Sequence, residues 1–380
     1  MLRINNFHKL VVALMVVALM AGCSKNLDQH PQSTASKDAI FGSEDGLKLY
    51  TNSFYNILPG INDVYKADDM SDYGARNQIT DYLRTGAFSS RQSSGWTWTN
   101  LRNLNYFLAN NNNPGIPENV RENYNGIARF FRAWFYFNMV KRFGDVPWVG
   151  TPLAVDDPAL YGKRDSRTLV MDSVLADLDY ACTHIALNND PTRSQITKWV
   201  AYGLKSRVCL FEGTFRKYQT SYNLGSSADA WLQNAADASK AVMDSSGFTL
   251  NTAGGTDLSY RQLFISTAPV TNEVMLSNVS STSLAIYNDA TWYYASSTYG
   301  VRFSFTRTFI NTYLNLDGTP FTDVPGHETM TFPEEVQNRD KRLKQTIRAG
   351  NYTRISSGKT VPAPPVFTYT YTGYQPIKWS

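Results

Sequence analysis

Apolar positions recur along the first two thirds of the chain with the spacing of helices that bury one face. Leu47, Tyr50, Phe54 and Ile57 fall at i, i+3, i+7 and i+10, and Ser43 is placed to cap that segment ahead of Glu44 and Asp45. Leu101, Leu104 and Leu108 repeat the spacing between Thr97 and Asn111. Met171, Val174, Leu178, Cys182 and Ile185 form one stripe over 167–185. Val200, Leu204, Val208 and Phe211 form the next, and Ala228, Trp231, Ala235 and Val242 form the last, which runs out at Gly247. One segment differs in kind. From Ala128 to Val140, ten of thirteen residues are apolar or aromatic, so this helix is greasy nearly all round and must be buried. Pro117 suits a first turn, Gly144 can take the left-handed conformation that ends a helix, and Pro147 follows where a helix cannot continue. Six amphipathic helices joined by loops predict stacked helical hairpins. No strict 34-residue repeat is present, so the pattern alone does not establish tetratricopeptide units.

After Gly247 the helical period fades and Gly, Ser, Thr and Tyr become frequent. Val274–Val279 reads as a short strand, and most of 250–330 as loops with sparse β structure and short helices. The predicted fold class is mostly α: a helical-hairpin scaffold over about 37–249, followed by a loop-rich lobe with short strands over about 250–380.

The N-terminus changes the picture of where the chain resides. Arg3 and Lys9 precede Leu10–Ala21, a twelve-residue apolar run. That is short of the ~20 residues of a spanning helix and suits the core of a secretory leader. Leu19-Met20-Ala21-Gly22-Cys23 resembles a bacterial lipobox, with Met20 where Leu is more usual. On this reading residues 1–22 are a lipoprotein signal peptide. Cys23 is the lipidated first residue of the mature chain, and 23–36 form a tether. Two or more acyl chains anchor stably where one does not. No second apolar run is long enough to cross a membrane, so the membrane is met through the lipid anchor only. Cys182 and Cys209 lie within helical stripes and are expected as buried thiols, with no metal-ligand spacing around either.

Net charge is +4, or about +2 once Arg3 and Lys9 leave with the leader, too weak a balance to argue for nucleic acid or another polyanion. Aromatic residues are abundant, with 23 Tyr, 20 Phe and 8 Trp, more than a core needs and suited to sugar stacking. The segment Tyr73–Trp98 is the strongest ligand candidate. It holds Tyr73, Arg76, Asn77, Gln78, Tyr82, Arg84, Trp96 and Trp98 with little aliphatic content. A sugar offers a weakly apolar C–H face, on which rings stack, and a fringe of hydroxyls, which Arg, Asn and Gln can bond. Trp292-Tyr293-Tyr294 forms a second cluster. Three consecutive aromatics cannot all face inward on a strand, and the two clusters are expected to share one exposed face. Asp68, Asp69 and Asp72 could meet a calcium ion but lack the spacing and glycine of an EF-hand. Gly358-Lys359-Thr360 ends like a phosphate-binding loop, but Thr353 stands where its first glycine belongs and Val361-Pro362 forbids the helix that must follow. No G-x-S-x-G or H-E-x-x-H occurs, so no enzyme is expected.

The string A-R-F-x-R-A-x-x-Y-F-x-x-V-x-R-F-G-D-V-P across Ala128–Pro147 resembles the signature helix of the SusD/RagB family, nutrient-binding outer-membrane lipoproteins of Bacteroidetes. Leu27-Asp28-Gln29-His30-Pro31 is similar to the family's L-D-x-x-P lead-in. Trp98-x-x-Leu101-Arg102-x-x-Asn105-Tyr106-Phe107-Leu108 is similar to its aromatic followed by I-R-x-x-N-x-F-L. Thr312–Gly318, Arg339–Leu343 and Gly373–Trp379 resemble its S-Y-x-x-x-D-G, R-D-x-R-L and G-Y-x-x-x-K-aromatic landmarks. The resemblance implies a tetratricopeptide-like scaffold and a cell-surface glycan- or oligosaccharide-binding lipoprotein. It also implies a SusC-like TonB-dependent outer-membrane transporter as partner and, in some members, bound calcium. It carries a ligand-stacking role to Trp96 or Trp98, by position, and a structural role to Asn105. Burying Arg129 or Arg132 requires a carboxylate or carbonyl partners, so both are expected to be structural, tied to Asp145 or a neighbouring helix. The alternatives are a lipoprotein scaffold that binds only protein and, less favoured, a surface glycoside hydrolase. In the family a further helical portion follows the Gly373–Trp379 step. The chain ends at Ser380, so the resemblance implies that those C-terminal helices are missing and that apolar surface is exposed there.

Overall fold

Helices form where the apolar stripes predict them. The computed structural model describes residues 36–66, 71–76, 79–296, 298, 300–350, 352–356 and 358–378. Among the described residues the six longest helices are α1 (Glu44–Asn52), α2 (Thr99–Asn110), α3 (Glu118–Phe143), α4 (Arg167–His184), α5 (Lys198–Tyr218) and α6 (Ala228–Ser245). Local chemistry fixes their ends. The hydroxyls of Ser43, Ser166 and Thr197 accept from the N–H groups of Gly46, Leu169 and Val200, satisfying donors that a helix start leaves orphaned. The greasy helix α3 stops at Gly144, whose φ of 70° most side chains would strain to adopt.

Successive helices pack antiparallel. Early in α3, Gly126 lies against Ala181 and Ile185 at the end of α4, and a Cβ there would sit 3.0 Å from Ile185. Midway, Arg132 grips both oxygens of Asp177, at 2.7 and 2.8 Å. Past the end of α3, Asp145 accepts from the N–H of Arg167 at the start of α4. Helix α5 runs back along α4, with Arg167 on Glu212 and Lys205 on Asp179. Helix α6 runs back along α5, with Ser239 on Ser206 and Ser227 on Arg216. These are the stacked hairpins that the periodicity predicts. Helix α3 lies at the centre of the first core, where Ala128, Phe131, Ala133 and Tyr136 are wholly buried. Each such large side chain stabilises the fold by ~1.5–3 kcal/mol.

Arg129 and Arg132 are structural, as expected, and tie α3 to the neighbouring helix α4 through Asp177. Asn105 is structural too. Its amide donates to the Val149 carbonyl at 2.7 Å and its oxygen accepts from Arg132 at 3.1 Å. Cys182 and Cys209 are free and buried, and burial pushes both thiols up to about 12.

A second core gathers Tyr65, Tyr294, Phe303, Phe305, Ile310, Leu343, Ile347 and Tyr374. Its regular structure is scant. Strands β1 (Gly74–Ala75) and β2 (Ser304–Phe305) pair antiparallel, and α7 (Ala290–Ala295) and α8 (Lys341–Thr346) are short. Strands β3 (Thr353–Ser356) and β4 (Lys359–Pro362) form a hairpin whose turn holds Gly358 at φ 74°. That is how Gly358-Lys359-Thr360 is used. The three late landmarks meet here: Asn315 bridges Arg339, and Ile347, just past α8, bridges Pro376. The cores cross the sequence order, since Tyr65 and Tyr73 join the second while Met275 and Leu276 pack on the first.

Val274–Val279 is not a strand. The segment is held by a turn from Val274 to Val270 and by Ser277 donating to the Arg193 carbonyl. Its apolar residues cover α5, with the Met275 methyl against Gly203. Apolar alternation here serves a loop that seals a helix. Cys23, the 27–31 segment, Asp68, Asp69, Asn77, Gln78 and Trp379 lie outside the described residues.

Candidate functional site

The segment ahead of α2 meets the last turn of α3 in a small aromatic ledge. Trp98 stands at the N-cap of α2, half-buried, with its ring 5.7 Å from Phe135 and 6.3 Å from Tyr136 of α3. Trp96 sits edge-on to Trp98 at 5.2 Å and to Phe143 at 5.0 Å, and remains 42% exposed. The two tryptophans therefore do different work. Trp98 wedges the α2–α3 junction, and Trp96 rides on it, open to solvent.

Two arginines rim the ledge. Arg142, in the last turn of α3, donates to the Tyr82 hydroxyl at 3.2 Å and the Ser94 hydroxyl at 3.1 Å. Arg164 donates to the carbonyls of Phe143 and Asp145, at 3.2 and 3.3 Å, where α3 ends, and lies 4.8 Å over the Trp96 ring. Tyr82 is 48% exposed and packs its ring 4.1 Å from Phe88. The ledge thus offers an indole, a phenol and guanidinium donors within one patch. Sequence reasoning missed Arg142, Arg164, Ser94 and Phe143. Arg142 and Phe143 were visible in the R-F-G-D string, but nothing in the chain order placed them beside Trp96.

Other predicted site residues go elsewhere. Tyr73 is half-buried, 4.9 Å from Phe309 and 6.3 Å from Phe305 in the second core, and its carbonyl accepts from Thr306. Arg76 lines a cavity of about 700 Å³ with Ile79, Thr80, Asp81 and Arg84. Asp72 is exposed. The Trp292-Tyr293-Tyr294 cluster lies on helix α7, not on a loop or strand. A helix turns about 100° per residue, so three consecutive side chains face three ways. Trp292 is 61% exposed and Tyr293 is half-buried against Tyr65 at 5.4 Å, with Lys66 5.5 Å over its ring. Tyr294 is 3% exposed, packed between Tyr65 and Phe303. At least one of the three is expected to be exposed, and Trp292 is, but Tyr294, named as a ligand candidate, belongs to the core.

Fold and ledge together define a class: antiparallel helical hairpins beside a loop-rich lobe, with an aromatic and cationic patch at the junction of α2 and α3. The SusD-like family model described as "Starch-binding associating with outer membrane" matches residues 44–205, from α1 into α5. A SusD-like protein of Bacteroides fragilis superposes with a TM-score of 0.68 at 22% identity, over 92% of this chain and 71% of that one. A second protein of that organism, named a SusD-like carbohydrate-binding protein, gives 0.62 at 17% identity over 84% and 62%. Two SusD-like proteins of Formosa agariphila are 23% and 22% identical over 229 and 230 residues, 54% of this chain in each case. Those matches span 43% and 44% of the relatives' own lengths, less than half of each. Residues 44–205 thus match the SusD-like family model, and the fold is that of SusD-like proteins.

Proposed function

We propose that this protein captures saccharides at the Trp96 ledge and passes them to an outer-membrane transporter of the SusC-like, TonB-dependent kind. The observation that carries the reading is Trp96 itself: an indole 42% exposed, held edge-on by Trp98 and Phe143, with hydrogen-bond donors around it. A large apolar side chain fixed in place at the surface has lost its freedom before any ligand arrives, so binding forfeits little entropy. A flat ring accepts the C–H face of a pyranose, and Arg142 and Tyr82 can meet its hydroxyls. The name of the B. fragilis carbohydrate-binding relative supports the same assignment. Trp292 is offered as a second platform, at the other core.

Stacking is worth ~1–3 kcal/mol per ring by analogy with nucleobases, which after association costs gives roughly micromolar to millimolar affinity. The reading includes acylation at Cys23, an outer-membrane, surface-exposed location and no catalysis. Glycan-array screening followed by titration calorimetry tests it. We expect saccharide binding by the wild type and a loss of at least about tenfold, ~1.4 kcal/mol, in Trp96→Ala. A folded Trp96→Ala with wild-type affinity would remove the ledge from the site. A wild type that binds no saccharide but retains a protein partner would favour the scaffold reading. Palmitate labelling of wild type and of Cys23→Ala tests the anchor, and equal labelling would refute it.

A further inference from the structure

We propose that the saccharide held at the Trp96 ledge is anionic, carrying a carboxylate or a sulfate ester; this rests on the saccharide reading above. On the scaffold helices the buried arginines are matched, Arg132 to Asp177, Arg167 to Glu212 and Arg216 to Glu212, while buried Arg193 in the α4–α5 loop bonds Asn189 and the Asp190 carbonyl. At the ledge the pattern breaks. Arg142 and Arg164 bond only hydroxyls and carbonyls, and among the described residues neither forms a salt bridge. The acids nearest in the chain bond other groups, two of them neutral N–H donors. Asp145 accepts from the Arg167 N–H at 2.9 Å, Asp165 accepts from the Trp148 N–H at 2.7 Å, and Asp81 pairs with Arg84 at 3.1 Å.

The C-terminal end of α3 supplies some negative charge of its own. A helix end amounts to roughly half an elementary charge, against two full guanidinium charges, so the helix end alone does not cancel them. The whole-chain balance of +4 does not report this, because a single patch sets the local field. Both guanidinium groups are also held in place. Arg142 is clamped by Tyr82 and Ser94, and Arg164 by two carbonyls and the Trp96 ring. Each has five N–H donors and spends two bonds, or one bifurcated pair, on the protein. The remaining donors form planar forks that match the oxygens of a carboxylate or a sulfate. A neutral sugar would satisfy the ring but leave both exposed guanidinium groups to solvent.

The test is a titration of the full chain with three oligosaccharides of matched length: a neutral glucan, an oligogalacturonate and a sulfated galactan. The expected result is that at least one acidic probe binds about tenfold or more tighter than the neutral one at low salt. The preference should shrink between about 0.1 and 1 M salt, as the screening length falls from about 10 to 3 Å. Which acidic probe wins distinguishes carboxylate from sulfate. Arg142→Gln and Arg164→Gln should each bring the acidic affinity down toward the neutral value. Arg142→Lys should recover only part of it, keeping charge without the fork. If either variant fails to melt cooperatively, the wild-type probe and salt comparison decides alone. Equal affinity for neutral and acidic probes would overturn the anionic assignment and leave saccharide capture standing. Binding of none of the three would remove saccharide capture and this assignment together.

Discussion

The scaffold and the loop-rich lobe solve the same electrostatic problem in opposite ways. Both bury arginines. In the scaffold Arg132 and Arg167 find carboxylates on neighbouring helices and Arg216 finds one a turn back on its own helix, because helix backbones satisfy their own carbonyls and have none to spare. In the lobe the buried arginines gather carbonyls instead, although Arg307, partly exposed, also lies 3.7 Å from Glu335. Arg339, 4% exposed, donates to the carbonyls of Ile310, Tyr313 and Glu335. Arg348 donates to that of Ala363, and Arg307 to those of His327 and Glu328. Burial holds Arg339 and Arg348 below the usual arginine range. A region with little regular structure leaves backbone acceptors without ladder partners, and a five-donor side chain gathers several at once. So an arginine in a helical core is part of an ion pair, whereas in an irregular core it replaces secondary structure.

The largest effect should come from unmatching a scaffold pair. Asp177→Ala leaves Arg132 buried with no carboxylate, at a cost of ~3–5 kcal/mol. Chemical denaturation should show an earlier midpoint for the whole scaffold. A loss under about 1 kcal/mol would mean that Asn105 and the Gly150 carbonyl suffice for Arg132, and the contrast with the lobe would blur. In the lobe, Arg339→Met strips three carbonyls of a charged donor and should cost about 2–3 kcal/mol. Hydrogen exchange should quicken over 307–347 while α3 to α5 stay protected. If instead exchange rises equally in both regions, the two cores form one cooperative unit and the comparison fails.

The same contrast explains what was legible in the sequence. Helix periodicity is a local signal, and α1 to α6 lie where the stripes put them, down to the caps at Ser43 and Gly144. The lobe's order is non-local. Nothing in Val274–Val279 says that it will seal α5 rather than pair as a strand. Nothing in Trp292-Tyr293-Tyr294 says that a short helix will turn Tyr294 inward. The R-D-x-R-L and T-Y-x-x-x-D-G strings were legible as landmarks, but their use, Arg339 collecting carbonyls around Asn315, needs the fold. At the ledge the residue types were readable and their arrangement was not. Trp96, Trp98 and Tyr82 stand out by composition, whereas Arg142 comes from a helix some fifty residues on and Arg164 from the turn beyond it.

The smallest effect on stability is the most informative about function, because it separates two tryptophans whose rings touch. Trp98 is half-buried against Phe135 and Tyr136, so Trp98→Ala opens a gap at the α2–α3 junction. It should cost about 2–3 kcal/mol, below the ~3–5 of a fully buried ring. Trp96 gives up only edge contacts and half-solvated surface, so Trp96→Ala should stay within about 1 kcal/mol of wild type. Binding should rank them the other way by direct contact, since Trp96 holds the open face. A Trp98→Ala protein would weaken binding only as far as Trp96 loses its support at 5.2 Å. Phe143 and the Arg164 guanidinium would still flank it. Trp98→Phe keeps a ring under Trp96 and should restore most of the stability and the affinity together. Thermal melts and saccharide titrations on the three variants give the answer. If Trp98→Phe is stable but binds as poorly as Trp96→Ala, then Trp98 itself touches the ligand, and the ledge is a two-ring platform rather than one ring resting on another.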